Sequence, residues 1–393
     1  MRAVIRDLRD FLISLPLTVA LLALGIVLVL AATLDQVNIG IWAVQQKYFH
    51  TFAVFTDVGN LRLAVFPGGY LIGGLLLINL IGSHIYKFKF AWRKTGIQLT
   101  HAGLILLLLG ELFSGLWQDE YHLRLDEGQT RNYAESYRAV ELVVTDVTNA
   151  DYDEVFAIPE GSLARLDAVQ HPLLPFRVIP RAYLPNSEIR RREASSSHAE
   201  SNLSANTGFG SQLLAIAQPI TYNQKERNIP SAGVELAGAE GPIGTWLVSP
   251  YLQEPQRFEH AGRTWTVAMR FARNYQPFSL TLLKFTHDRY PGTSIPKNFS
   301  SQLRLTTPDG QDDREVLVYM NNPLRYGGLT FYQSGFDNDD RTTVLQVVRN
   351  PSWLLPYIAC TLMSLGLAIQ FCIHLGGFIR RRPRPAAAIP ALS

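Results

Sequence analysis

Three histidines, His84, His101 and His374, fall at the ends of long apolar runs. Imidazole is the side chain best suited to bind a metal, pass a proton or hold a hydrogen bond where other polar groups are too costly. His101 lies about one turn inside the run Ile97–Trp117, which reads IQLTHAGLILLLLGELFSGLW. An imidazole in hydrocarbon needs a partner, so a bound ligand, a proton path or a tight hydrogen bond are the readings open to it. His84 closes the preceding apolar run and His374 the last one. Two imidazoles at one depth on different helices are what a bis-histidine haem requires. The competing reading makes His84 and His374 interfacial side chains that reach back to water. Tetrahedral zinc from the three is disfavoured, because the other donor at that depth, Cys372, is two residues from His374 and badly angled.

The elements that must position these residues follow from hydrophobic patterning. The chain has 393 residues, of which 47% are hydrophobic and 18% charged, the balance expected when membrane spans are averaged with a water-soluble module. Four apolar runs, Phe11–Thr33, Leu63–Ser83, Ile97–Trp117 and Trp353–Ile373, approach the ~20 residues needed to cross a bilayer. Residues 1–117 are therefore expected to hold three transmembrane helices, 118–351 a large mainly-β domain, 352–379 a fourth helix and 380–393 a basic tail. Arg2, Arg6 and Arg9, then Lys87, Lys89, Arg93 and Lys94, then Arg380, Arg381, Arg382 and Arg384 all fall on one side of this four-span plan. The excess of Lys and Arg in short cytoplasmic segments predicts cytoplasmic termini and an external module. The net charge of +3 reflects these anchors and does not suggest a nucleic-acid partner. The first run is longer than the core of a cleaved signal peptide, so a retained anchor is expected.

Helical geometry places Gly103, Gly110 and Ser114 on the face of the third run opposite His101. If that small-residue stripe packs on the chain's own helices, His101 points outward, toward a cofactor or a second membrane protein. Glu111 is expected to hydrogen-bond a neighbouring helix. Pro67-Gly68-Gly69, with Gly69 and Gly73 at GxxxG spacing, suggests a kink and close helix approach. Asp35–Arg62 reads as an aromatic outer segment lying along the interface, with His50 as a water-facing histidine or, less economically, a ligand.

The large module reads as β. Glu141–Val147, Trp265–Arg270, Leu280–Phe285, Gln302–Thr306, Glu315–Met320 and Val344–Val348 are short runs of β-branched and apolar residues, which predict an antiparallel sandwich or open barrel. Ser187–Gly210 reads as a mobile polar loop, with Arg190–Arg192 a solvated face. Met320–Phe336 (MNNPLRYGGLTFYQSGF) reads as a hairpin with a packed aromatic face. The sharper alternative is a platform for a planar ligand, with Asn321, Asn322 or Arg325 supplying polar contacts. GxSxG, Walker A, HExxH and strand-linked GxGxxG motifs are absent, which weakens any soluble-enzyme reading. The two cysteines, Cys360 and Cys372, both lie in the last span, so the external module holds neither a disulfide nor a CxxC pair.

Several segments together resemble ResB (CcsB), the membrane component of System II cytochrome c biogenesis: NLIGSHIYKF, KTGIQLTHAGLILLLLGEL, EGQTRNY and MNNPLRYGGLTFYQSGF. The resemblance implies a bacterial cytoplasmic-membrane protein of three plus one spans with a large β domain on the periplasmic side. It implies a ResC (CcsA) partner, with which haem is moved across the membrane and presented to the CxxCH thiols of apocytochrome c. A thiol-reducing, thioredoxin-like protein is a further implied partner. It implies non-covalent haem b, shared with the partner and ligated by a histidine of the third span, here His101. His84 has no such carry-over. Asn321, Asn322, Pro323, Arg325, Tyr332 and Gln333 form the motif expected to face haem or apocytochrome. The chain lacks the tryptophan-rich segment of the partner, so it is expected to be an accessory subunit without catalytic residues of its own. Two rivals stand beside this reading: an electron-transfer subunit with a b-type haem between His84 and His101 that exchanges electrons with quinone, and a scaffold that binds no haem.

Overall fold

Pro16, in the first turn of the first long helix, and Pro67, just ahead of the second, set where the membrane helices begin. In the computed structural model, residues 2–58, 61–87, 91–192, 203, 205–221, 227–293, 296–337 and 341–381 are described. The chain divides into two compact units, Met1–Gln118 with Asn350–Ser393, and Asp119–Arg349.

The first unit contains α1 (Arg2–Leu12), α2 (Leu15–Val44), α3 (Gly69–Lys87), α4 (Thr95–Trp117) and α5 (Leu355–Arg381). Among the described residues, α2 to α5 provide four helices long and apolar enough to cross a membrane. The first expected span started at Phe11, but α1 ends at Leu12 and a new helix starts at Leu15. Proline is tolerated in a first turn, where its missing N–H costs little, and disfavours continuation from the residues before it. Asn79 of α3 is buried against this break and holds it together. Its amide nitrogen donates to the carbonyls of Leu12 (2.7 Å) and Ser14 (3.0 Å), and its oxygen accepts from the Thr18 hydroxyl (2.7 Å).

Two expectations for the outer segment are corrected. The helix of the first span continues through Asp35 to Val44, bending at Gly40 where φ is 78° and ψ 162°, and a π turn follows over Gln45–Phe49. Beyond it, β1 (Ala53–Val58) and β2 (Leu61–Pro67) form an antiparallel hairpin, so Asp35–Arg62 begins as a continuation of the first membrane helix and ends in a hairpin. Leu63–Pro67, expected to open the second span, belongs to β2, and the helix starts only at Gly69. The run LRLAVFP alternates and ends in a proline, which suits a strand end better than a helix. Gly68 and Gly69 sit against the backbone of Thr51 and Phe49, whereas a Cβ at Gly73 or Gly74 would meet nothing within 4 Å. The GxxxG spacing therefore serves the hairpin–helix junction and not the approach of a second helix.

Helices α4 and α5 make the closest approach in this unit. Gly96, Gly103 and Gly110 are buried, and their seven-residue spacing keeps them on one seam. A Cβ on Gly103 would come within 2.5 Å of Met363 Cγ and 2.8 Å of the Ala359 carbonyl, while one on Gly366 would meet the Gly96 carbonyl at 2.7 Å. Near the end of the seam the Ser114 and Ser352 hydroxyls lie 3.1 Å apart, and Asn350 donates to Ser114 Oγ at 3.0 Å.

The second unit is built from antiparallel ladders. In chain order its strands are β3 (Asp119–Asp126), β4 (Thr130–Asp146), β5 (Glu154–Pro159), β6 (Phe176–Leu184), β7 (Ser187–Arg191), β8 (Leu213–Ala217), β9 (Ser231–Gly238), β10 (Gly241–Val248), β11 (Gln256–His260), β12 (Arg263–Arg289), β13 (Pro296–Thr306), β14 (Asp313–Tyr319), β15 (Leu324–Tyr326), β16 (Leu329–Phe336) and β17 (Thr342–Arg349). The largest sheet runs β14-β13-β12-β4-β3-β17-β16-β15, with β11 and β5 paired to β12 and β4; β10-β9-β6 form a second sheet. The runs at Trp265–Arg270 and Leu280–Phe285, read separately from sequence, are one 27-residue strand. The intervening stretch is polar and breaks the alternation, but the ladder to β4 carries on through register shifts at Phe271/Arg273 and Tyr275/Leu280, as β-bulges allow. Cross-strand ion pairs Arg270–Glu141 (2.8 Å) and Arg273–Glu135 (3.1 Å) hold it there.

The bulged region divides two cores. The first half of β12 contributes Trp265, Val267 and Met269 to a core shared with Val178, Val234, Leu236 and Trp246. The second half contributes Phe278, Leu280 and Leu282 to another, shared with Leu303, Val318, Leu324, Phe331 and Leu345. Strands from both ends of the large sheet meet in that second core, so the sheet curls round it. The expected mobile loop Ser187–Gly210 is corrected at its start: Ser187–Arg191 is strand β7, paired with β8, and the exposed Arg190 pairs on the surface with Glu188. Positions 193–202 and 204 of that loop, Lys89, and the tail from Arg382 with Arg384 lie outside the described residues.

His122 of β3 has a buried Nδ1 with no hydrogen-bond partner among the described residues, its ring tilted against Tyr137 at 5.0 Å. Burial, reinforced by the Arg227 guanidinium and opposed by Glu120, lowers its pKa below the ordinary 6.5. The unfolded chain then takes up a proton that the folded chain resists. Stability from this group is full above about pH 6.5 and declines on acidification below it. Thermal unfolding of the detergent-solubilised chain should therefore show a midpoint that falls by a few degrees between pH 7.5 and 5.5, with the fall diminished in His122→Phe. For the helical unit, Gly103→Leu forces a side chain into the α4–α5 seam and should cost about 1–3 kcal/mol. Gly73→Ala, which enters open space, should leave the same melting curve unchanged.

Candidate functional site

Helices α3 and α4 are consecutive in the chain and joined by a short connection, so the end of one and the start of the other come to the same level. His84 lies in the last turn of α3 and His101 in the second turn of α4. Their rings approach to 6.4 Å between centroids, nearly perpendicular at 83°, and both residues are half-buried. Two imidazoles joined through one metal ion by bonds of ~2 Å would have centroids roughly 6 Å apart. The donor set and its spacing therefore fit a group that takes two axial imidazoles.

The third histidine does not join them. His374 is exposed on α5, one turn beyond Gln370, which packs against Gly96. Among the described residues no ring contact links it to His84 or His101, and no cluster of three or more metal-binding side chains is present. The small-residue stripe on α4 does meet the chain's own helix, as its spacing suggests. The opposite face is not left to an external partner alone, however, because His101 meets His84 of α3. The outward-facing expectation is corrected accordingly: the first polar neighbour of this imidazole belongs to the same chain.

One other intramembrane reading changes. Glu111, expected to bond a neighbouring helix, is exposed and takes no hydrogen bond among the described residues. His50, read as a water-facing histidine, stacks on Tyr70 of α3 with centroids 5.6 Å apart and planes within 9°. Asn79 was not singled out from the sequence. A lone amide in an apolar run is a signal that it has a partner, and here that partner is the α1–α2 break.

The Met320–Phe336 motif forms the β15–β16 hairpin, which turns at Gly327-Gly328 with φ of 58° and 76°. Positive φ at both central residues is the requirement of the tight turn that matches strand twist. Leu324, Leu329 and Phe331 point into the second core, with Phe278 edge-on to Tyr326 at 4.9 Å. The Gln333 amide is used inside the module: its oxygen accepts from Ser301 Oγ at 2.6 Å, and its nitrogen donates to Thr343 Oγ1 at 2.9 Å and the Gly335 carbonyl at 3.1 Å. Gln333 is thus a clamp between β13, β16 and β17. Asn321, Asn322, Arg325 and Tyr332 are exposed, with Pro323 half-buried between them. Asn321 takes φ of 63° in the turn that returns Asn322 to Tyr319.

Residues 251–344, which include this hairpin, match the family model described as the ResB-like family. Among similar proteins are protein NrfI of Wolinella succinogenes, 37% identical over 91 residues (23% of this chain and 10% of that protein), and the cytochrome c biogenesis protein CcsB of Prochlorococcus marinus, 36% identical over 102 residues (26% and 22%). CcsB of Synechococcus elongatus is 37% identical over 59 residues (15% and 13%). The matched segments span about a tenth to a fifth of these relatives. Four apolar helices and, between the third and fourth in sequence, a mainly-β module whose residues 251–344 match the ResB-like family make this membrane protein similar to ResB-like proteins over that segment.

Proposed function

We propose that this chain acts in cytochrome c biogenesis as a membrane subunit that binds haem b non-covalently and passes it to apocytochrome c together with a ResC/CcsA-type partner. The observation that carries this reading is the approach of His84 and His101 to 6.4 Å within the helical unit. A neutral imidazole is a suitable axial ligand, and His101 lies within an apolar helix where a ligand offsets the cost of a polar ring. Haem, when bound, supplies the vinyl groups that form thioethers with the CxxCH thiols of the client. The contribution of this chain is to hold and orient. The rigid α4–α5 seam fixes the helix that carries His101, and the exposed turn Asn321–Arg325 with Tyr332 offers a polar and aromatic face to a client or to the outer haem edge.

On this reading both termini are cytoplasmic and the β module lies on the periplasmic side of a bacterial cytoplasmic membrane, the arrangement that the basic flanks of the spans support. A thiol-reducing, thioredoxin-like protein would keep the client thiols available. The short distance between the two histidines also supports a second reading, an intrachain b-type haem that carries electrons, because both ligands are then supplied by one polypeptide.

Purification of the full chain with and without a co-expressed ResC/CcsA-type partner tests these readings through the reduced haem spectrum. His101→Gly should lower haem content at least tenfold, and added imidazole should restore the spectrum. Haem retained undiminished in that variant overturns the ligand assignment. Haem found only in the pair favours delivery. Haem in the isolated chain, lost equally in His84→Gly and His101→Gly, favours the electron carrier.

A further inference from the structure

The helical unit contains a cavity of about 800 Å³ formed by the end of α2, the π turn, the first turns of α3 and the last turns of α4. This lies well within the range of ~300–1,000 Å³ usual for small-molecule sites. It is remote along α3 and α4 from the histidine pair, since its lining begins at Gly69 and Leu108 and not at His84 and His101. Its walls are mostly apolar, with Ile41, Leu77, Leu108 and Leu112 among them. Its depth on the α3 side comes from Gly73 and Gly74, where a Cβ would meet nothing within 4 Å.

Two hydrogen-bonding groups converge at one point on this apolar surface. The His50 ring is held by its stack on Tyr70 and by Gln46, whose amide nitrogen lies 3.2 Å from Nδ1. Nδ1 is thus engaged by Gln46, which leaves Nε2 as the ring nitrogen available to a ligand, protonated in the tautomer in which Nδ1 accepts. His50 Nε2 and the Tyr70 hydroxyl lie 3.9 and 3.6 Å from the place where Gly115 would carry a Cβ, the side-chain-free point on the facing helix. Glu111, one turn earlier on the same face of α4, also lines the cavity.

We propose that this cavity binds a membrane quinone. Its ring carbonyl accepts from His50 Nε2–H and the Tyr70 hydroxyl, the ring lies in the space left by Gly73, Gly74 and Gly115, and the isoprenoid tail follows the leucines of α3 and α4. A planar ring with a strong acceptor at its rim and a long apolar tail uses the two converging polar groups, the side-chain-free space and the apolar walls.

The test is photolabelling of the full chain in quinone-free lipid nanodiscs with an azido-benzoquinone bearing a short isoprenoid tail, competed by decyl-benzoquinone. Saturable labelling of peptides from residues 41–50, 69–77 or 108–116 is expected. Gly74→Leu, which fills open space, should abolish it. His50→Phe keeps the stack on Tyr70, removes the donor and should weaken competition about tenfold, the loss of one hydrogen bond. His101→Gly should leave labelling unchanged while haem is lost, so the failure of one reading is distinguishable from that of the other. Absence of saturable labelling in the unaltered chain overturns the proposal whatever the variants do. So does labelling that persists in folded Gly74→Leu and His50→Phe, or loss of haem in His50→Phe with quinone competition intact.

Discussion

A polar side chain in hydrocarbon has no water to fall back on, and most of what is distinctive in the helical unit follows from how such groups are partnered. Asn79 spends its amide on the carbonyls freed where α1 gives way to α2. Asp35, far along α2, meets the Lys47 ammonium at 2.6 Å and the Tyr48 hydroxyl at 3.1 Å. His101 meets His84. In each case the cost of burial is offset by a neighbour distant in sequence or on another helix, and the helices must be arranged to bring that neighbour to the right level.

That arrangement depends on a seam without side chains. Lipid tails are as apolar as leucine, so helices in a membrane gain little from hiding apolar surface from one another and rely on close van der Waals contact and hydrogen bonds. Gly96, Gly103 and Gly110 against Ala359, Met363 and Gly366 provide the first, and Ser114, Asn350 and Ser352 provide the second. With α5 occupying one face of α4, the opposite face is free for α3 and for whatever binds between them. The glycines of α3 have another use: Gly68 and Gly69 admit the preceding hairpin, and Gly73 and Gly74 leave space unfilled.

The β module solves a different problem, that of a long chain with two separate cores. A single pair of strands, β4 and β12, passes through both, and its bulges redirect the side chains from one core to the other. The ResB-like segment at residues 251–344 includes the whole of β12 and the β15–β16 hairpin, whereas β3 and β4, which complete the large sheet, lie outside it. Its Asn-Asn-Pro turn stays at the surface while Phe331 and Gln333 are committed inside, so the motif mixes residues that build the sheet with residues that remain exposed.

Length and hydropathy alone determined the number of membrane helices and the mainly-β character of the intervening module, because both depend on local periodicity and on a bilayer thickness that does not vary with fold. The spacing of Gly103 and Gly110 likewise identified a packing face, since helical geometry is fixed at 3.6 residues per turn. The residues that could do chemistry were legible as types: His101 stood out because its environment is wrong for it. Their company was not. That His84 and not His374 is the neighbour of His101, that His50 lies on Tyr70, and that Leu63–Pro67 is a strand all depend on which helix packs against which and where the chain turns. Those choices are made by contacts between residues far apart in sequence, where one glycine in place of a side chain decides how closely two backbones may lie.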